Sequence, residues 1–282
     1  MITASLTVLS GMPTSNAATI TVGTIGELVS ANSTARPGDT ISLKEGTYRV
    51  QSYGITVKTN NLTFRGETGT REKVIITGAG MNGAIEYGFW ISGSGVTIRD
   101  LTIQEVHYHC IQTDVNNDGL QVINCILRDA NEQLLKIPFS ASNADYSENG
   151  VVERCLFEFS AGVANQYYTG GVDGHYCKNW IIRNNTFRNI RSPDNQIAEH
   201  AVHFWSQSTG TLVESNRIIN CDRGIGFGLG DRGHTGGIIR NNMIYHAKIS
   251  GIDNGDAGII LETSPGTKVY NNTIYFENDY PN

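Results

Sequence analysis

The sequence predicts an all-β fold, a single-stranded right-handed parallel β-helix with a short N-terminal capping helix, on two observations. The first is a strand phrase that recurs: VTIRDLTI (96–103), VINCIL (122–127), VERCLF (152–157), IRNNTF (182–187), VESNRI (213–218), IRNNMI (239–244) and VYNNTI (269–274). Aligned on Leu101, Cys125, Cys155, Asn185, Asn216, Asn242 and Asn272, the phrases step by 24, 30, 30, 31, 26 and 30 residues. A period of this size holding several short strands is the mark of a solenoid with one coil per repeat. The second is composition: 32 Gly, 4 Met and a charged fraction of only 17% suit turns and strands rather than helices.

The elements follow in order. Residues 1–18 (MITASLTVLSGMPTSNAA) join a short apolar stretch to a small-residue ending, which reads as the remnant of a secretory signal peptide or a leader. Residues 19–282 then form one β-helix domain. Thr19–Val22 is a first strand. Thr24–Ala35, with Ile25, Leu28 and Val29 on one side, is a short amphipathic helix ended by Arg36-Pro37-Gly38-Asp39. A helix there caps the open end of the sheets. Strands at Thr40–Leu43 and Thr47–Val50 lead into the repeats. The anchors predict an internal amide ladder of Asn185, Asn216, Asn242 and Asn272. Two positions on, Ile103, Leu127, Phe157, Phe187, Ile218, Ile244 and Ile274 predict an apolar stack. The chain stops soon after its last strand phrase without a capping pattern, so it reads as a solenoid cut at its C-terminus.

Charge and cysteines narrow the partners. A net charge of −6 and a pI near 5.6 argue against nucleic acid but allow an acidic polysaccharide to meet a local basic cluster. Five cysteines without CxxC spacing point to neither zinc nor a disulfide framework. No run of 18 apolar residues is present, so no membrane span is expected. The chain is read as a secreted monomer.

A second strand precedes each anchor, and period-2 alternation assigns its faces. Phe89, Ile111, Leu135, Val172, Val202, Ile225 and Ile259 point inward. Trp90, Gln112, Lys136, Asp173, His203, Gly226 and Ile260 point outward on successive rungs. GVDGH (171–175) and EHAVHFWS (199–206) thereby gather Asp173, His175, His203 and Trp205 on one solvent-facing ladder, with Lys136 below and Arg223 above. His109, His200, Glu199 and Tyr168 flank it. Such a set is not needed for folding, which marks it as a candidate site. Trp205 is expected to offer a stacking face to a sugar, and GIGFGLG (224–230) a bare backbone floor for a polymer.

The repeat region resembles the pectate-lyase-like superfamily of carbohydrate-active β-helix proteins. Within it, Asp173-Gly174-His175 is similar to the catalytic Asp-Pro-His of mannuronan C5-epimerases, with Lys136 where those enzymes carry a basic residue on the preceding coil. His200-Ala201-Val202 is similar to their next His-Gly-Ile strand. Gly174 replaces the Pro, and Tyr176 stands where an acidic residue is usual. The resemblance implies proton abstraction α to a uronate carboxylate, in a lyase or an epimerase; a non-catalytic carbohydrate-binding or adhesin β-helix is the alternative of another class. Lys136 or Arg223 would neutralise the carboxylate, and His175 would act as base or acid, since an imidazole titrates near neutral pH. Asp173 would set a tautomer, most simply that of His203. Tyr167 or Tyr168 would supply a second proton. Glu199, His200, Trp205 and His109 would bind substrate. Calcium is suggested as a cofactor, because Asp114-Val115-Asn116-Asn117-Asp118-Gly119 opens like a calcium loop, although Cys125 falls where the loop's closing Glu belongs. Asp173, His175 and His203 form a second metal candidate, for a transition metal.

Overall fold

The computed structural model describes residues 17–142 and 145–277; residues 1–16, nearly all of the expected leader, lie outside them. Each coil gives one short strand to each of three parallel sheets. In one central coil these are Val172–His175, Ile181–Arg183 and Thr186–Arg188, after which the chain re-enters the first sheet at His200–Trp205. The sheets hold eight, ten and nine strands, and a ribbon of two-residue strands at one corner adds a further four. This is the right-handed parallel β-helix the repeats predict.

Corner chemistry explains the repeating phrase. Between the second and third sheets the chain turns on one residue in the left-handed region: Asp100 (φ 62°), Asn124 (50°), Arg154 (56°), Asn184 (57°), Ser215 (57°), Asn241 (56°) and Asn271 (54°), most of them Asn or Asp. Asn and Asp enter this region more readily than other side chains bearing a Cβ. The anchor asparagine follows. Asn185 donates from its backbone N–H (3.0 Å) and its Nδ2 (3.1 Å) to Asn216 Oδ1. Asn216 does the same to Asn242 Oδ1 at 3.0 Å each, and Asn242 to Asn272 Oδ1 at 3.0 and 2.9 Å. The expected amide ladder is therefore continuous.

The expected apolar stack also runs in register, Ile103–Leu127–Phe157–Phe187–Ile218–Ile244–Ile274, with Phe157 and Phe187 stacked at 4.7 Å. All five cysteines are free and buried, packing as small hydrophobes. At the N-terminal end the helix spans Ile25–Thr34. Its Thr24 cap accepts from the Glu27 N–H while Glu27 accepts from the Thr24 N–H, each at 3.2 Å, a reciprocal capping box. Leu28 and Ala31 are its buried residues, against the first strands.

Candidate functional site

The first sheet carries the site in the expected register. Lys136 pairs with Asp173, Asp173 with His203 and His203 with Gly226 on successive rungs. His175 pairs with Trp205, and His200 with Arg223.

The ladder is not solvent-facing, however. Asp173 is 6% exposed, His200 3% and His203 2%. Alternation fixes which side of a strand a residue leaves by, but not what the turns beyond the strand lay over it. Here residues 229–232 fold back through an antiparallel bridge between Leu229 and Arg232, and the Arg232 guanidinium lies 4.1 Å above the Trp205 ring. The same ring meets His175 at 4.3 Å, tilted by 49°, and His203, parallel to it at 5.2 Å with an interplanar angle of 1°. Trp205 is thus a cover over buried polar groups rather than the open stacking face expected of it.

Under that cover lies a compact charged cluster. Lys136 Nζ donates to Asp173 Oδ2 and lies 2.9 Å from His175 Nε2, which is itself 3.2 Å from the same carboxylate oxygen. Trp205 Nε1 donates to the second oxygen of Asp173 at 2.7 Å. Ser206 Oγ lies 3.3 Å from His175 Nδ1. Burial pushes the Asp173 carboxyl toward its neutral form, but the Lys136 ammonium and then His175 hold it well below the usual carboxylate range. Burial likewise disfavours the Lys136 ammonium, yet Asp173 raises its pKa. The pair is ionised, and Asp173 serves His175 rather than His203, whose Nδ1 is 3.9 Å away.

Several expected roles change. Arg223 donates to Asp256 at 2.8 Å, so its charge is matched within the protein. Gly226 is no open floor: a Cβ there would sit 2.5 Å from His200 Nε2, so this glycine makes room for the imidazole. Burial drives the His109, His200 and His203 rings neutral, each with a pKa lowered to about 3. His109 is buried with Nδ1 on the Gln133 carbonyl at 2.7 Å, out of reach of a polymer. Tyr168 is exposed and close enough to influence Lys136, so it remains beside the cluster. In the expected calcium loop, Asp114 accepts from Ser92 Oγ at 3.2 Å and Asp118 from the Glu148 N–H at 2.8 Å, which are coil-to-coil turn bonds.

A cavity of about 290 Å³ opens against the cluster, lined by Phe139, His175, Ser206, Gln207 and Arg232. Of these only His175 is legible as a site residue in the sequence. Ser206 and Gln207 occupy the left-handed region (φ 51° and 69°) at the strand end, and their N–H groups donate to the carbonyls of Arg232 and Gly233 at 3.2 and 2.8 Å. That backbone pairing brings Arg232 over the site from the next coil. The Asp231-Arg232-Gly233 turn carries no periodic signal that would have placed it. Tyr176 stacks between Phe139 (4.8 Å) and Tyr146 (4.5 Å), an aromatic wall on the same side.

The family model described as "Right handed beta helix region" matches residues 87–280. The chain belongs to the right-handed β-helix family. A search of curated proteins finds no match. Among solved structures, this β-helix chain is similar to an alginate lyase from a Paenibacillus species, with 15% identity and a TM-score of 0.52 over 91% of this chain and 99% of that one. It is similar also to a pectin methylesterase from Aspergillus niger, with 15% identity and a TM-score of 0.54 over 90% and 84% of the two chains. A mannuronic acid-specific polysaccharide lyase of family 6 from human gut microbiota aligns at 14% identity and a TM-score of 0.53, over 90% of this chain and 64% of that one. At these identities the likeness is one of fold. No helix among the described residues of this β-helix protein is long and apolar enough to cross a membrane.

What the fold gives the charged cluster is rigidity: Lys136, Asp173, His175, His203 and Trp205 sit on strands whose neighbours are fixed at about 4.8 Å above and below. One grouping stands beside the charged cluster. Glu199, His200 and His203 offer ligand atoms within 4.8 Å of one another.

Proposed function

We propose that this protein is a polysaccharide lyase cleaving a uronate-containing glycan by β-elimination. The observation that carries the reading is the placing of His175. It lies at the wall of the cavity, fixed through Nε2 by Asp173 at 3.2 Å, with Nδ1 on the side of Ser206. With its Nε2–H donated to Asp173, the ring presents a lone pair at Nδ1 as general base. Lys136 Nζ, a donor only, also lies 2.9 Å from Nε2, so this tautomer requires the ammonium to turn its protons to Asp173, which it keeps an acceptor.

In the elimination the C5–H bond breaks toward His175, and its electron pair becomes the C4–C5 double bond. The C4–O bond then breaks, and Tyr168, exposed beside Lys136, protonates the leaving oxygen. Arg232, which is exposed and lines the cavity, pairs with the uronate carboxylate and stabilises the charge developing on it, the role the sequence assigns to Lys136 or Arg223. Phe139, 37% exposed at the same cavity, supplies the apolar face for the sugar ring that Trp205 does not. Hydrolysis fits less well, because it normally uses two carboxylates flanking the bond, and Asp173 is already committed to Lys136, His175 and Trp205. The alginate lyase, the family 6 lyase and the pectin methylesterase that share the fold support a polymeric uronate as substrate, and the leader-like N-terminal segment supports action outside the cell.

The test is incubation with alginate, pectate, chondroitin and glucuronan while following the absorbance of unsaturated uronyl ends. Growth of that signal on one of them is expected. Its absence on every polymer, with exchange of the C5 proton from deuterated solvent seen by NMR, would replace elimination by epimerisation; absence of both would leave a binding role.

A further inference from the structure

Beside the proposed reaction centre, and independent of it, three side chains make an arrangement the reaction does not use. Glu199 Oε2 is 3.7 Å from His200 Nδ1 and 3.7 Å from His203 Nδ1, one carboxylate oxygen equidistant from two imidazole nitrogens. The two rings are 4.2 Å apart between centroids.

Proton placement makes this costly as it stands. His203 Nε2 lies 3.1 Å from the Gly228 carbonyl, which can only accept, so Nε2 carries the proton and Nδ1 of the neutral ring carries a lone pair. That lone pair faces the oxygen of Glu199 and, at 3.9 Å, Oδ1 of Asp173. Neither ring nitrogen of His200 has a hydrogen-bond partner, although the residue is only 3% exposed. A buried polar group without a partner costs about 1–3 kcal/mol and calls for an explanation. Lone pairs converging on one point are repulsive unless something positive sits between them.

We propose that Glu199, His200 and His203 bind a divalent transition-metal ion of the zinc class. Two imidazole nitrogens and one carboxylate oxygen are the donor set such ions prefer over calcium or magnesium. Tetrahedral ligands about 2.1 Å from zinc lie roughly 3.4 Å from one another; the two separations of 3.7 Å to Glu199 need close by only a few tenths of an ångström, and all three donor atoms already lie within 4.8 Å of one another. The surroundings suit a ligand set. The Gly228 carbonyl orients His203 as an outer partner orients a metal-bound imidazole. Gly226 leaves the space that the His200 ring fills. Glu199, with its side chain 31% exposed, forms the rim by which an ion reaches two otherwise buried rings.

The test is direct metal analysis of the full chain, purified without chelator and dialysed against zinc, followed by titration of the chelator-stripped protein with cobalt(II). About one zinc per chain is expected, with cobalt giving visible absorption bands of nitrogen and oxygen ligation and raising the melting temperature. Glu199→Gln, at the rim, should stay folded by circular dichroism and weaken cobalt binding about tenfold or more, and His200→Ala should abolish it. The readout is metal content and spectrum, so it stands whatever the enzyme assay gives. A wild-type protein that takes up neither zinc nor cobalt overturns the proposal. So does uptake that a folded Glu199→Gln and His200→Ala both retain in full, since the ion would then be held elsewhere.

Discussion

Two stacks of polar side chains run along this β-helix, one at the corner between the second and third sheets and one on the first sheet, and they are built in opposite ways. In the corner stack, Asn185, Asn216 and Asn242 are 1–2% exposed, and each amide both donates and accepts along the coil axis. In the first-sheet stack, His109, Gln133, His200 and His203 are equally buried, yet Gln133 and His200 leave four side-chain nitrogens and oxygens without partners. Repeating one residue type lets each rung satisfy the next. A stack of unlike residues cannot do so, and it persists where the unmatched groups have a task other than folding.

The comparison can be broken from the structural side first. Asn216→Ala removes the acceptor of the Asn185 N–H and the donor to the Ile182 carbonyl, leaving both buried without partners. A loss of about 4 kcal/mol is expected, read from chemical denaturation, at 1–3 kcal/mol for each orphaned group plus the cavity.

The histidine stack should answer to pH where the amide stack does not. Burial lowers the pKa of His109 to about 3 and that of His234, in the corner ribbon, to about 4. Both are depressed in the folded protein, so their contribution is whole above the unfolded value near 6.5 and is lost as pH falls toward the folded values. Together they should cost about 3 kcal/mol between pH 6.5 and pH 5. Unfolding free energies across that window, compared with a His109→Gln, His234→Gln double variant, measure the slope. An equally steep slope in the variant would assign it to other groups.

Arg232→Ala should lower kcat/KM on the preferred uronate polymer about 100-fold, near 2.7 kcal/mol, through loss of transition-state charge stabilisation. Arg223→Ala, whose partner is Asp256, should affect stability more than turnover. The smallest effect carries the opposite sign. Gln133→Leu removes two unpartnered polar atoms from a buried position and should raise stability by about 1 kcal/mol, where the same kind of change in the asparagine ladder is destabilising.

The fold was legible because it rests on repetition. The anchors at Asn185, Asn216, Asn242 and Asn272 set the coil, and alternation then put Lys136, Asp173 and His203 on neighbouring rungs, as they are found. What lies over those rungs was not legible. Arg232 and Gln207 reach the site from turns whose course is set by positive φ angles and one antiparallel bridge rather than by a pattern in the sequence. For the same reason alternation alone leaves Trp205 open to solvent, whereas the turn from the next coil brings Arg232 onto its face. Nor does the sequence reveal that Arg223 is matched within the protein, because Asp256, 33 residues on, becomes its partner only through the coil stacking.

The central claim is that the polar groups of the first sheet serve chemistry while those of the corner serve folding. His175→Ala tests it most directly, with turnover on a uronate polymer and melting temperature measured on the same preparation. The account predicts turnover down about 100- to 10,000-fold with a melting temperature within a few degrees of wild type, since His175 is a cavity-wall residue outside the apolar core. A variant that keeps its turnover, or that loses it only by unfolding, would contradict the account.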